Sequence, residues 1–219
     1  MKHLTFYLDF ISPYAYLAFH ALPKSLMGLS YTVTYKPVFL GALLKHNAML
    51  GPAEVPSKRA WVYRQVLWLA QQQSLKLELP ALHPFNPLAL LRLAVAMQAQ
   101  GNPNRYVCET LFRHVWEGGL DAADPVRFAE LAERLAPPRS LSANDVKAQL
   151  KDHAEQALAL GVFGVPAIEV DGKVFWGLDS LPMLRSYLDG DTWFADTHWD
   201  GVTAHPSGIP LHRGSNAAI

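Results

Sequence analysis

The spacing of hydrophobic and polar positions changes character several times along this chain. Leu4 to Asp9 mixes β-branched and aromatic residues and predicts a strand. Leu29 to Lys36 alternates Tyr31, Val33 and Tyr35 with Thr32, Thr34 and Lys36, the period of two that predicts a second strand. Between them Ser12-Pro13 is a helix start. A serine side chain accepts from a free backbone N–H, and proline suits the first helical position, where its missing donor is not needed. That helix should run to about Leu22, so the opening reads β-α-β, a unit that normally joins parallel strands.

From about Pro56 to Leu160 the pattern turns helical. Start signals stand at Asn86-Pro87, Asn102-Pro103, Asp124-Pro125 and a capping-box-like Ser142-x-x-Asp145, with Gly101 and Gly161 as stops, which predicts about five helices. No fixed period recurs, so this region reads as an insertion and not as a repeat array. Strand patterning returns at Ala167 to Val170 and Lys173 to Trp176, joined by Asp171-Gly172 as a type I′ hairpin turn, and a last helix is predicted from about Ser180 to Leu188. The order β-α-β, helices, β-β-α predicts an α/β protein, a thioredoxin-like fold with a large all-helical insertion. The expected parts are a discontinuous thioredoxin-like domain over 1–45 and 161–190, a helical insertion over 46–160, and a tail over 191–219 lying across its own domain or a symmetric partner.

Composition narrows the function. Half of the 219 residues are hydrophobic and only 17% are charged, enough apolar material for a substantial core and no mark of disorder. Nineteen basic and nineteen acidic residues cancel, which argues against nucleic acid as a partner. The start is interrupted at Asp9 too early for a signal peptide, and the greasiest stretch, Leu88 to Met97, contains Arg92, so neither export nor a membrane span is expected and the location expected is cytoplasmic. The one cysteine, Cys108, excludes an intrachain disulfide and, amid Tyr106, Val107, Leu111 and Phe112, is expected to be a buried structural thiol. His198, His205 and His212 recur every seven residues, but intervening prolines and glycines break any common face and no metal site is expected. Leu67, Trp68 and Leu69, with Trp61 and Tyr63, are expected to pack helices together.

Two stretches could carry chemistry. In Asp9-Phe10-Ile11-Ser12-Pro13-Tyr14 a hydroxyl stands at a strand-to-helix junction, where the helix dipole and free N–H groups favour negative charge, and a sulfur anion bound there would have a lowered pKa. Taken alone, Ser12 is equally an ordinary helix cap. In Gly161-Val162-Phe163-Gly164-Val165-Pro166 a proline at a strand start suggests a cis peptide that presents the main chain of Val165 to a peptide-like ligand, with an ordinary turn proline as the other reading.

Together these stretches resemble the family of 2-hydroxychromene-2-carboxylate isomerases and kappa-class glutathione transferases. Phe6 to Leu17 is similar to its opening, and Gly161 to Pro166, Val170-Asp171-Gly172 and Phe175-Trp176-Gly177 are similar to its close. Tyr35 to Gly41, Val55-Pro56-Ser57-Lys58 and His83-Pro84-Phe85-Asn86 fit in order between them. The resemblance implies glutathione as cofactor, its sulfur at Ser12 and its cysteinyl backbone paired with Val165 before Pro166. It further implies Lys58 at a glutathione carboxylate, Asp179 at the γ-glutamyl amine and Asn47 near the ligand. Ser180 completes the implied set in place of the family's arginine, and Leu178 replaces a polar residue, so γ-glutamyl recognition is expected to be weaker or rearranged. Asp179 also reads as an acid favoured by a helix N-terminus.

The implied activity is a glutathione-dependent isomerase of the 2-hydroxychromene-2-carboxylate type, acting through a thiolate on a small aromatic-derived carboxylate, in a homodimer. Glutathione transfer and a non-catalytic glutathione- or peptide-binding module stand as alternatives. Dithiol-disulfide exchange is excluded, because Ser12-Pro13-Tyr14-Ala15 holds no cysteine.

Overall fold

The computed structural model describes residues 1–195, 197–206 and 208. The first strand, β1 (Lys2–Leu8), sends Leu4, Phe6 and Leu8 into one apolar cluster and Tyr7 into a second, so the alternation of its side chains divides the core. β2 (Tyr31–Pro37) lies parallel to it with Leu4 opposite Val33 and Leu8 opposite Pro37. β3 (Ala167–Val170) pairs antiparallel on the other side of β1, and β4 (Lys173–Trp176) antiparallel to β3, giving the order β2-β1-β3-β4. Asp171 and Gly172 both have positive φ, 51° and 77°, as the type I′ turn requires.

α1 (Pro13–Ser25) begins at Ser12, whose hydroxyl accepts from the Ala15 N–H at 3.2 Å. It runs past the expected end at Leu22 and contains Pro23. Proline cannot donate to the carbonyl four residues back, so Phe19 O loses its helical partner; both terminal nitrogens of the Arg105 guanidinium reach it at 3.4 Å. The same guanidinium donates to the Tyr35 hydroxyl at 3.1 Å and lies 4.2 Å from the centre of the Phe19 ring. One side chain thereby ties α1 to β2.

The helical region holds α3 (Pro56–Gln72), α4 (Leu88–Ala96), α5 (Arg105–Trp116), α6 (Pro125–Leu135) and α7 (Asn144–Ala159), as many as the pattern predicts, preceded by a short α2 (Leu40–His46) that the reading passed over. Two start signals need correction. The cap of α5 is Asn104, not Asn102, and it accepts from the Val107 N–H at 3.0 Å. α7 has no side-chain cap: Ser142 hydrogen-bonds Ser140, and Asp145 is drawn to Arg139 at 2.9 Å, which also bonds Gln149 and the carbonyls of Val95 and Gln98 at the end of α4. The Gly161 stop holds. The N–H of Gly161 bonds Leu158 O and that of Val162 bonds Ala157 O, a Schellman closure that needs the φ of +79° at Gly161.

The larger cluster joins α1 and the sheet to α4 and α5 through Phe10, Phe19, Phe112 and Trp116, with Cys108 fully buried as expected. The smaller one packs Tyr7 and Ala167 against Leu43, Ala157, Val162 and Val165. The expected packing role of the aromatic stripe on α3 fails for three residues. Trp61, Leu67 and Trp68 are exposed, because α3 buries Val62, Val66 and Ala70 instead, with Tyr63 and Leu69 half-buried beside them.

After α8 (Leu181–Leu188) the chain turns back through α9 (Thr197–Gly201) and seats Phe194 and Trp199 against Phe175 and Tyr187, so this part of the tail packs on its own domain. His212 lies outside the described residues. No helix among the described residues is long and apolar enough to cross a membrane.

The Asp124 cap of α6 does match its signal, accepting from the Arg127 N–H at 2.9 Å on the surface of the helical layer. Asp124→Ala should cost about 1 kcal/mol, the usual worth of an N-cap. The urea unfolding midpoint would fall without a change of slope, and an unmoved midpoint would show that the cap contributes nothing.

Candidate functional site

The site is a turn of four residues between β1 and α1, and each of its main-chain carbonyls is bonded. Ser12 N–H closes on Asp9 O at 3.1 Å, and Tyr16 N–H takes Ser12 O at 3.2 Å. The middle two carbonyls are served from the helical region: the Trp116 indole N–H donates to Phe10 O at 2.9 Å, and His83 Nε2 donates to Ile11 O at 2.9 Å. Burial pushes the His83 imidazole below its ordinary pKa, so it stays neutral, with Tyr63 Oη 2.9 Å from Nδ1.

Inside the turn lies a carboxylate that the sequence reading did not single out. Asp9 is fully buried; its Oδ2 accepts from the Leu40 N–H at 2.8 Å and its Oδ1 from the Ile11 N–H at 3.2 Å. It thereby caps α2 from 31 positions away, where the residue before the helix, Phe39, has no side chain able to do so. Burial pushes the Asp9 carboxyl up to about 7, against the pull of hydrogen bonds from the Leu40, Ile11 and Phe10 main chain. An acid closing a predicted strand, three residues before a serine, was the available signal.

Ser12 is itself nearly buried, and its hydroxyl donates across the chain to Val165 O at 3.4 Å, a long and weak bond. Val165-Pro166 is a cis peptide, and Pro166 O accepts from the Gly177 N–H at 2.9 Å. So Ser12, Val165 and Pro166 meet, and the hydroxyl hydrogen is available to a better acceptor at the positive end of α1, whose first turn carries no acid.

Tyr14 extends the cluster. Its hydroxyl donates to Gln65 Oε1 at 2.5 Å, and its phenol is pushed up by burial and then by the nearby Asp179 carboxylate. Asp179 is exposed in the 3-10 turn Leu178–Ser180 that leads into α8, which fits both readings made of it. Lys58 stands exposed in the first turn of α3, two helical turns from Gln65 on the same side, with no ion-pair partner among the described residues. Two residues of the expected set are turned elsewhere. Asn47 caps the C-terminus of α2 with its amide on Leu43 O at 2.8 Å, and no hydrogen bond among the described residues joins it to the turn; the Ser180 hydroxyl donates to Gly177 O at 2.8 Å. Leu178 packs against the larger cluster. A cavity of about 480 Å³ between α5 and α6 lies apart from all of these, and its His114 and Arg127 are spent on main-chain carbonyls. Among the described residues no group of side chains could hold a metal ion.

A family model described as a DSBA-like thioredoxin domain matches residues 3–189. The chain belongs to that family. Among curated proteins this DSBA-like chain is 28% identical over 196 residues to the 2-hydroxychromene-2-carboxylate isomerase of Sphingobium xenophagum, covering 85% of this chain and 98% of the relative. It is 26% identical over 212 residues to glutathione S-transferase kappa 2 of Caenorhabditis elegans, covering 85% and 92%. A solved structure of a 2-hydroxychromene-2-carboxylate isomerase superposes with a TM-score of 0.75 at 24% identity, over 88% of this chain and 97% of that one. The resemblance read from the motifs and the thioredoxin-like fold are borne out, and the relatives are isomerases and glutathione transferases.

The buried carboxyl has a consequence for stability. Its pKa stands near 7 in the folded protein against an ordinary 3.8, so between those values the folded state holds a proton that the unfolded state has lost. Asp9 therefore favours folding fully below about pH 4 and loses that contribution as pH rises through about 7, by up to a few kcal/mol at about 1.4 kcal/mol per unit. Urea titrations from pH 4 to 8 should show wild type falling relative to Asp9→Asn across that window; parallel curves would refute the shift.

Proposed function

We propose that the protein binds glutathione and uses its thiolate to isomerise a small aromatic-derived carboxylate, as the name of its Sphingobium relative suggests. The observation that carries this reading is the Ser12 hydroxyl, poised at the N-terminus of α1 with only a 3.4 Å bond to Val165 O to give up. Names among the relatives, glutathione S-transferase kappa in particular, support glutathione as the ligand.

The residues present fit that ligand's chemistry. Ser12 donates a hydrogen bond where a sulfur anion would gain from the helix N-terminus. The main chain of Val165, in the segment that leads into β3, borders the same point and suits pairing with a peptide-like ligand. Lys58 offers a free cation for a carboxylate and Asp179 a free anion for an ammonium, and both are exposed. Asn47 and Ser180 stay in the proposed set as neighbours only, through a turn of the Asn47 amide away from Leu43 or of the Ser180 hydroxyl away from Gly177. Held by Ser12 and the main chain of Val165, glutathione would supply a nucleophilic thiolate that is regenerated and not consumed. The chain's part is to hold the thiol deprotonated and the substrate against it. The same reading includes a cytoplasmic homodimer. Transfer of glutathione to an electrophile is the second reading, favoured by the kappa-named relatives, and needs the same site.

Calorimetry with reduced glutathione should give binding at neutral pH, and absence of heat and of a thermal shift at millimolar ligand would end the proposal. Lys58→Ala should weaken that binding by about 1–3 kcal/mol without loss of fold, as befits a charge-assisted hydrogen bond from an exposed side chain; unchanged affinity would return Lys58 to the solvated surface.

Ser12→Ala should reduce turnover more than affinity, because the bound thiol would drift back toward its free pKa of about 8.5. With a chromene carboxylate followed spectroscopically and free thiol counted in the same tube, constant thiol marks an isomerase and one-for-one loss a transferase. Binding with no turnover of either kind would leave a binding module.

A further inference from the structure

We propose that His83 is a positioning residue for the thiolate site, holding the Ser12 turn in register with the helix that carries Lys58; this rests on the glutathione reading above. The imidazole is the joint of an unbroken chain of hydrogen bonds. On one side Nε2 meets Ile11 O at 2.9 Å, one residue before Ser12. On the other Nδ1 lies 2.9 Å from the hydroxyl of Tyr63 on α3, five residues beyond Lys58.

The acceptor decides the tautomer. A carbonyl oxygen offers no hydrogen, so Nε2 must carry the proton, and in the neutral ring Nδ1 is then an acceptor for the Tyr63 hydroxyl. The reverse tautomer would set a lone pair against the Ile11 carbonyl. Tyr63 Oη also lies 3.0 Å from His83 O, so the hydroxyl can turn to that carbonyl and accept from Nδ1 if the ring gains a proton. The grip on Ile11 survives either state, which makes the contact a fixed brace and not a pH switch. The charged group acting on the ring is Arg59, from the same α3, which adds to burial in holding the imidazole neutral.

Geometry separates His83 from its neighbour in this task. Trp116, which serves Phe10 O, is wholly buried in the larger cluster, so its packing and its hydrogen bond cannot be told apart. His83 is half-buried in the segment between α3 and α4, tilted against Trp116 with 5.4 Å between ring centres, and its two nitrogens are both spent on the joint. Without the brace Ile11 O loses its donor, and the turn that aims the Ser12 hydroxyl loses one of the four carbonyl bonds that fix it.

The test compares His83→Leu, His83→Gln and Tyr63→Phe with wild type. Glutathione affinity is read by calorimetry, the bound thiol's pKa by ultraviolet thiolate absorbance, and kcat with the chromene carboxylate. His83→Leu should cut the bound thiolate fraction below the pKa and kcat by about tenfold each, the size of one lost hydrogen bond, with affinity changed less than about threefold. Glutamine keeps an amide N–H within reach of Ile11 O, so His83→Gln should recover most of both, which a general loss of packing would not do. Tyr63→Phe removes one oxygen atom and should shift the thiol pKa in the same direction by less, which keeps the test open if His83→Leu fails to fold. A wild-type thiol pKa in both Tyr63→Phe and the His83 variants that fold overturns the positioning role while leaving glutathione binding intact. No binding by wild type overturns both.

Discussion

A buried main-chain carbonyl must find a donor within the protein, and the turn from Asp9 to Ser12 concentrates that demand in four residues between the sheet and the helical layer. The turn's own Ser12 N–H and the first helix serve only its two ends, so the middle carbonyls depend on donors from elsewhere, Trp116 and His83. Leaving either unserved would cost about 1–3 kcal/mol. The helical region is therefore more than a cover for the sheet. It completes the hydrogen bonding of the segment that presents Ser12.

The same division of labour recurs behind α1. Pro23 opens a carbonyl at Phe19 that only an outside donor can close, and Arg105, at the start of α5, closes it while stacking on the Phe19 ring and holding Tyr35 of β2. Arg105 and Trp116 stand at opposite ends of α5. One helix thus grips α1 at its middle, through Phe19, and the turn that leads into it, through Phe10, so a single element fixes α1 at two points.

What could be read from the sequence follows the distance over which each interaction acts. The Ser12 cap, the Asp171-Gly172 turn, the Gly161 closure and Pro166 at its strand start are settled by neighbours in the chain, and periodicity and turn chemistry expose them. Asp9 with Leu40, Ile11 with His83 and Phe10 with Trp116 are separated by 31, 72 and 106 positions, and nothing local in either partner announces the other. The short α2 escaped notice for that reason: its cap is Asp9, supplied from the end of another strand. The aromatic stripe of α3 misled in the opposite direction, since Trp61 and Trp68 read as core by type while the phase of the helix turns Val62, Val66 and Ala70 inward. Lys58 and Asp179 were identified by resemblance, and both stand exposed, with no ion-pair partner among the described residues.

Cys108 has a further meaning in such a protein. It lies at 0% exposure inside α5, and burial holds its thiol far above its usual range, so it stays protonated and out of reach. Thiol–disulfide exchange requires an accessible thiolate, and this is the only cysteine in the chain. An oxidised low-molecular-weight disulfide in the surrounding solution finds no partner on the folded protein. The chain can work in a thiol-rich medium and remain redox-silent, with no mixed disulfide to resolve and no dependence on a reducing partner to restore it.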